Sequence, residues 1–282
     1  MARDIAKTAV VTGAGSGLGR ELALGWAGQG FKVGLADIDI EGAEQTLEMV
    51  RQAGGSGETW RCDVRSLDEV EAMADHFFDA WGKVGILANN AGVADAGFVG
   101  DIPIENWART LETNLWGVIH GCHAFLPRMK KQGGGHIVNT ASAAGVINLP
   151  EMAPYNVTKA AVISLSETLK VELAPSRIGV TVICPSFFET HLEENTTYTD
   201  EWQGEFVHQV FANARMTSED IAELVLKAVR KNRLYVVPQL SAKVGWLAKR
   251  MNQKLFYSVF AAFYRTPLGK PLIMLAAKRG LL

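Results

Sequence analysis

Seven short runs of apolar, often β-branched residues recur through the first 237 residues of this chain, each separated from the next by a longer amphipathic stretch. That alternation is the pattern of βαβ units, whose parallel strands are covered on both faces and so read as continuously apolar. The runs are Thr8–Thr12, Lys32–Ala36, Glu58–Asp63, Val84–Ala88, His136–Thr140, Val180–Cys184 and Leu234–Val237. Helical periodicity at about Gly17–Gln29, Ile40–Ala53, Leu67–Trp81, Trp107–Lys130, Tyr155–Leu173 and Ser218–Lys231 supplies the crossovers, with Asp, Ser or Pro near several starts. Right-handed crossovers then predict an α/β fold, a doubly wound parallel seven-stranded sheet of Rossmann-like form, as a single domain over residues 1–237. Residues 238–282 are left as a C-terminal basic and aromatic extension. Residues 187–216 are polar and aromatic with no clear strand, and they follow the sixth run. Ligands of open α/β sheets lie beyond the carboxyl ends of the strands, so this segment is expected to be a lid.

A chain of 282 residues with 48% hydrophobic residues buries enough surface to fold without disulfides or a structural metal. Cys62, Cys122 and Cys184 are odd in number, 60 and 62 residues apart and without a Cys/His cluster, so they read as small buried side chains in a reducing compartment. The first residues run from charged positions straight into a strand without the apolar stretch of a secretory signal, and a cytoplasmic protein is expected. A net charge of −2 argues against a nucleic-acid binder. The charge is nevertheless uneven, for all 30 acidic residues lie between Asp4 and Glu223, while Lys227 to Arg279 holds 12 basic residues and no acid.

Thr12-Gly13-Ala14-Gly15-Ser16-Gly17-Leu18-Gly19 follows the first strand and opens a helix. Glycines there permit a tight turn and close approach of the backbone to a pyrophosphate, which the helix N-terminus attracts. The spacing is G-x-x-x-G-x-G through Gly13, Gly17 and Gly19; G-x-G-x-x-G fails in both registers. Asp37 ends the second strand 20 residues after Gly17, where a carboxylate can bond both ribose hydroxyls and repel a 2′-phosphate. Neither Ser16 nor Ile38 offers the positive charge that a 2′-phosphate would need, so NAD is favoured over NADP. Taken singly, the glycine run could be only a tight turn and Asp37 only a turn cap.

Three further features stand in order: Asn89-Asn90-Ala91-Gly92 after the fourth strand, Ser142 after the fifth, and Tyr155-Asn156-Val157-Thr158-Lys159. With the glycine loop and Asn114 they make the chain resemble the classical short-chain dehydrogenases/reductases over roughly residues 5 to 237. The resemblance implies that Asn114, Ser142, Tyr155 and Lys159 form the catalytic set. It further implies that Asp63 and Asn90 line the adenine and ribose side of the cofactor pocket, that Lys159 also holds the nicotinamide ribose, and that Asn114 holds a proton-relaying water. Gly13, Ser16, Gly17, Leu18, Gly19, Asp37, Val64, Pro185, Phe188 and Thr190 complete the expected cofactor contacts with Tyr155 and Lys159. The family pattern after the sixth strand is Pro-Gly, whereas this chain has Pro185-Ser186-Phe187-Phe188-Glu189-Thr190, which puts the local geometry in question.

Chemistry gives its own reasons for these residue types. Tyr155 and Lys159 are four apart and share one helix face, and an ammonium beside a phenol favours the phenolate, so Lys159 is expected to lower the pKa of Tyr155. Tyr155 can then take the proton of an alcohol, or give one to a carbonyl, as hydride moves between substrate and nicotinamide, while Ser142 bonds the same oxygen. Each residue alone has a structural explanation; a non-catalytic NAD-binding scaffold would not need all four together. A hydrophobic secondary alcohol or its ketone is the expected substrate, because Leu149, Met152, Phe187, Phe188, Trp202, Phe206 and Phe211 cluster in the segments expected at the pocket mouth; simple core packing is the alternative. His120 and His123, three apart on a helix, and His191 among Glu189, Glu193 and Glu194 lack further ligands at clear spacing, and no metal is expected. The family commonly forms homodimers or homotetramers through the helices near Trp107 and Tyr155.

The extension carries Trp246, Phe256, Tyr257, Phe260, Phe263 and Tyr264 among its basic residues. Its longest uncharged stretch, Leu255 to Tyr264, is ten residues, about half of what spans a bilayer. Two readings stand: packing on the same chain or a neighbouring subunit, or peripheral contact with an anionic membrane surface. Pro267 and Pro271 break the helical pattern near its end.

Overall fold

The computed structural model describes residues 5–190, 192–193 and 196–281; His191 and Glu194 lie outside them. Among the described residues nine strands follow in chain order: β1 Thr8–Thr12, β2 Lys32–Asp37, β3 Ser56–Arg61, β4 Ile86–Asn89, β5 Ala94–Ala96, β6 Gly135–Thr140, β7 Ile178–Ile183, β8 Thr196–Tyr198 and β9 Tyr235–Val236. Seven form one parallel sheet in the order β3-β2-β1-β4-β6-β7-β9, and the order reverses between β1 and β4. That reversal opens a crevice above the carboxyl ends of β1 and β4, where the glycine loop emerges.

The helices are α1 Gly17–Ala27, α2 Ile40–Gln52, α3 Leu67–Trp81, α4 Ile104–Leu111, α5 Gly117–Gln132, α6 Ala144–Ile147, α7 Ala153–Glu172, α8 Glu201–Ala212, α9 Ser218–Arg230, α10 Leu240–Met251, α11 Gln253–Arg265 and α12 Gly269–Lys278. Alternation along β1 divides the core. Ala9 and Val11 face α1, α2 and α9 with Trp26, Leu47 and Val225. Val10 faces α3, α5 and α7 with Phe77, Phe125 and Val162. Both faces of the central strands are thus sealed, as their sequences require.

Several boundaries differ from the sequence reading. β3 is a half-buried edge strand with the polar sequence Ser-Gly-Glu-Thr-Trp-Arg, and it starts two residues earlier because pairing with β2, not apolarity, defines it. The helix expected over Trp107–Lys130 begins at Ile104 behind Pro103 and is interrupted by a π-turn at Glu112–Trp116. The expected lid is not structureless. It contains β8, which pairs in parallel with β5, and α8, whose capping box joins Asp200 and Gln203. The extension folds into three helices: Pro267 separates α11 from α12, and Pro271 falls in the first turn of α12, where no backbone N–H is needed. α10 packs on α6 and α12 on α8, so the extension rests on its own chain.

Candidate active site

β6, α7 and the π-turn bring the four expected catalytic residues to one edge of the sheet. Ser142 follows β6, accepts the Ala144 N–H at 3.1 Å and donates to the Pro185 carbonyl at 3.2 Å, which fixes its hydroxyl beside Tyr155. Lys159 is 3% exposed, and its Nζ donates to the Thr140 carbonyl at 2.9 Å. Asn114 is fully buried; its amide spans Val93, accepting from the N–H and donating to the carbonyl, both at 2.8 Å. The wide π-turn turns the Asn114 side chain toward this loop, a common use of such turns at functional sites. A Cβ on Gly92 would lie 3.2 Å from Asn114 Oδ1 and 3.4 Å from Lys159 Nζ, so the glycine leaves these two groups a shared space.

The electrostatics differ from the sequence expectation. Burial pushes the Tyr155 phenol up to about 12, with the Ser142 hydroxyl pulling weakly the other way. Burial also pushes Lys159 down to about 8. Loss of water is the largest cause in both, and the ammonium donates to the Thr140 carbonyl.

A cleft of about 310 Å³ runs from the glycine loop to Tyr155. Gly13, Ser16, Gly17 and Leu18 of the glycine loop line it, with Asp37, Asp63 and Val64. Asn90, Lys159, Pro185, Phe188 and Thr190 line it as well. Gly13 has φ +65°, and a Cβ there would come within 2.8 Å of Ala91 Cα, so the loop is a cradle only glycine can form. These features fit a dinucleotide lying across the crevice. Gly19 does not line the cleft. A Cβ on it would fall 1.9 Å from the Gly13 carbonyl, so its place is the packing of α1 against the loop. Asp37 Oδ2 accepts the Gly15 N–H at 2.8 Å, tying the second strand to the loop. Asn90 Nδ2 donates to the Thr12 and Gly13 carbonyls at 3.2 and 3.3 Å. Ser186, in place of glycine, keeps its backbone N–H bonded to Gln239 Oε1 at 2.9 Å.

Beyond Tyr155 a neck of about 60 Å³, lined by Ser142, Tyr155, Phe187, Phe188 and Phe211, leads to a chamber of about 240 Å³. Leu149, Met152, Phe187, Trp202 and Phe206 line the chamber, whose far wall is Ala242 of α10, Phe260 and Tyr264 of α11 and Ile273 of α12. Trp202 stacks on Phe206, and Phe187 meets Phe206 edge-on. Every aromatic and methionine that the sequence placed at the mouth therefore borders the neck or the chamber.

Two clusters that hold this region carry no local signal in the sequence. Asp95, 1% exposed on β5, is bonded by Arg109 at 2.9 Å, Asn106 at 3.1 Å, Thr110 and Thr197, and so locks β8 and α4 together. Glu151 receives Gln203 of α8 at 2.7 Å and Lys270 of α12 at 3.1 Å, clipping lid and extension to the loop before α7. Arg65 also lines the cleft; the signal was its position two residues after Asp63, which it grips at 3.0 and 2.6 Å and whose carboxyl it holds below the usual range. His120 Nδ1 lies 2.9 Å from the Val64 carbonyl and His123 3.8 Å from Glu71. The described residues hold no group of three or more His, Cys, Asp or Glu arranged for a metal ion.

A glycine cradle at the sheet's switch point, joined to a Ser-Tyr-Lys edge, defines a doubly wound α/β protein of the dinucleotide-binding class. Comparison with known proteins agrees. The family model described as short chain dehydrogenase matches residues 7–201, and the chain belongs to that family. SadH of Mycobacterium tuberculosis, provisionally named an oxidoreductase, is 35% identical over 266 residues, covering 92% of this chain and 96% of SadH. The probable oxidoreductase EphD of the same organism is 36% identical over 247 residues, 83% of this chain; the chain spans only 42% of EphD. Among solved structures, a short chain dehydrogenase/reductase of Burkholderia phymatum in complex with NAD superimposes with a TM-score of 0.86 at 33% identity, covering 90% of this chain and 96% of that one.

Proposed function

We propose that the protein is an NAD-dependent dehydrogenase interconverting a hydrophobic secondary alcohol and its ketone, with Tyr155 as general acid and base. The observation that carries this reading is that three cavities adjoin: Tyr155 and Phe188 border both the cleft and the neck, and Leu149, Met152 and Phe187 border both the neck and the apolar chamber. A carbinol in the neck would sit between the Ser142 hydroxyl and the Tyr155 phenol, with its apolar body in the chamber. Ser142 holds the substrate oxygen and Tyr155 exchanges the proton with it. Lys159 supports Tyr155 electrostatically and would hold the nicotinamide ribose; Asn114 keeps the Val93 loop in place and would anchor a relay to solvent. The bound dinucleotide supplies the hydride acceptor.

NAD is favoured over NADP because Asp37, at the end of β2, lines the cleft with a carboxylate that would repel a 2′-phosphate. Two arginines are near, but Arg65 is clasped by Asp63, and Arg20 is turned into the Gly15 carbonyl and Thr46 Oγ1. The usual oxidised state of the NAD pool favours alcohol oxidation. Exposed Ile104, Trp116, Val157 and Val171 on α4, the π-turn and α7 suit a homodimer or homotetramer contact, and a reducing cytoplasm suits the three buried free cysteines. NADH formation across secondary alcohols of increasing apolar length tests the reading. Each added methylene should raise kcat/KM about fourfold until the chamber is full; a preference for short or polyhydroxylated alcohols would overturn it.

A further inference from the structure

The three helices that wall the chamber turn a second apolar face outward. On α10 the exposed residues Leu240, Val244, Leu247 and Met251 recur at helical spacing, with Leu240 73% and Met251 78% exposed. On α11 Leu255, Val259 and Ala262 do the same, and Leu268, Leu272 and Leu275 continue the pattern along α12. The inward faces carry Ala242, Tyr257, Phe260 and Tyr264, so each helix is apolar on two sides and neither burial nor solubility explains the outer one. Exposed apolar stripes of this kind on three neighbouring helices mark an interaction site.

Charge decides what covers it. Lys243 and Arg250 follow Leu240 and Leu247 by three residues and border the same side of the α10 stripe; Lys254 and Arg265 border the α11 stripe in the same way. Lys243, Lys254 and Arg265 form no ion pair among the described residues. No acidic residue occurs anywhere between Lys227 and Arg279. A second copy docking face to face would bring like charges together. An anionic lipid surface instead offers apolar depth to the stripes and negative headgroups to the flanking cations. No helix among the described residues is long and apolar enough to cross a membrane, so the contact is one of lying on the surface.

We propose that the outer faces of α10, α11 and α12 dock the protein on an anionic bilayer surface, which sets the chamber wall against the lipid phase that would carry an apolar substrate. This goes beyond the assigned reaction and does not depend on it. The test is flotation of the full chain with vesicles of phosphatidylcholine, with and without phosphatidylglycerol, at rising salt. The protein should float with the anionic vesicles only and be released by salt. Val244→Asp with Val259→Asp should abolish flotation, and Lys243→Glu with Lys254→Glu should weaken it at least about tenfold. Both variants should retain turnover of a water-soluble alcohol in the absence of vesicles. The charge variant leaves the apolar stripes intact and keeps the test decisive if the aspartates impair folding. Absence of flotation at low salt, or equal flotation of wild type and charge variant, would overturn the proposal. So would self-association that is abolished by the stripe variant and occurs without vesicle binding. Flotation as expected with no turnover of any alcohol would reject the assigned reaction and leave the docking surface standing.

Discussion

The Lys159 ammonium lies 5.4 Å from the centroid of the Tyr155 ring and donates its hydrogen bond to the Thr140 carbonyl. The two groups are close enough to interact through space, yet each is governed first by its own burial. A lysine held this way costs stability, and that cost is the signature of a group retained for chemistry.

Replacing that lysine should therefore stabilise the cofactor-free protein. The fall of Lys159 from 10.5 to about 8 corresponds to roughly 3 kcal/mol. Loss of the Thr140 bond returns about 1 kcal/mol of that. Lys159→Met should gain roughly 2 kcal/mol in thermal denaturation at pH 7, with turnover lost. Below pH 8 folded and unfolded states both carry the proton, so the folded state bears the full cost of burying it. Between about 8 and 10.5 the unfolded chain holds more protons than the folded one, wild-type stability gains relative to the variant, and the advantage of Met should shrink. A variant less stable than wild type at pH 7 would contradict this account of the site.

Asp37 faces the cleft from the end of β2 and also accepts the Gly15 N–H. Asp37→Ala should lower the ratio of kcat/KM with NAD to that with NADP by at least about tenfold, by removing the repulsion of a 2′-phosphate. Asp37→Asn, which keeps an acceptor for Gly15, separates the charge from the loop contact. Unchanged selectivity in both would remove Asp37 from cofactor choice.

Gly19→Ala places a methyl against the Gly13 carbonyl and Asn90 Nδ2. Overpacking there should cost about 1–3 kcal/mol of stability and loosen cofactor binding, since the loop must yield. Calorimetric titration with NAD and thermal denaturation would read both; wild-type values in each would show that α1 can shift freely.

Phe206 lines the chamber and touches both Trp202 and Phe187. Phe206→Ala should raise KM for long apolar alcohols about tenfold or more while leaving kcat/KM for a short one within about twofold. Equal losses for both would mean that the chamber does not hold substrate.

The sheet was legible in the sequence because both faces of its strands are buried, so apolarity and β-branching mark them directly. β3 was misplaced because it is an edge strand whose extent is set by pairing with β2. Residues that line the cleft fall in local motifs, as with Gly13, Asp37, Tyr155 and Lys159, and Ser142 borders the neck beside them. Contacts between segments distant in the chain left no such mark. Asp95 meets Thr197, and Glu151 meets Lys270, across long separations, so the small β5–β8 sheet and the contacts that clip the extension to the body left no local trace, although packing on its own chain was one of the two readings of the extension. The π-turn at Asn114 was hidden because its residues suit a regular helix equally well. The sign of the Tyr155 displacement was missed because sequence shows that Lys159 is a turn away, but not how deeply both are buried.

NADH formation from NAD and an apolar secondary alcohol, measured for wild type and Tyr155→Phe with cofactor affinity determined in parallel, tests the central claim most directly. The account predicts turnover by wild type, a loss of about a thousandfold in the variant, and NAD affinity unchanged within about twofold. Turnover retained within about tenfold in Tyr155→Phe would contradict it, because the proton would then be moving by another route.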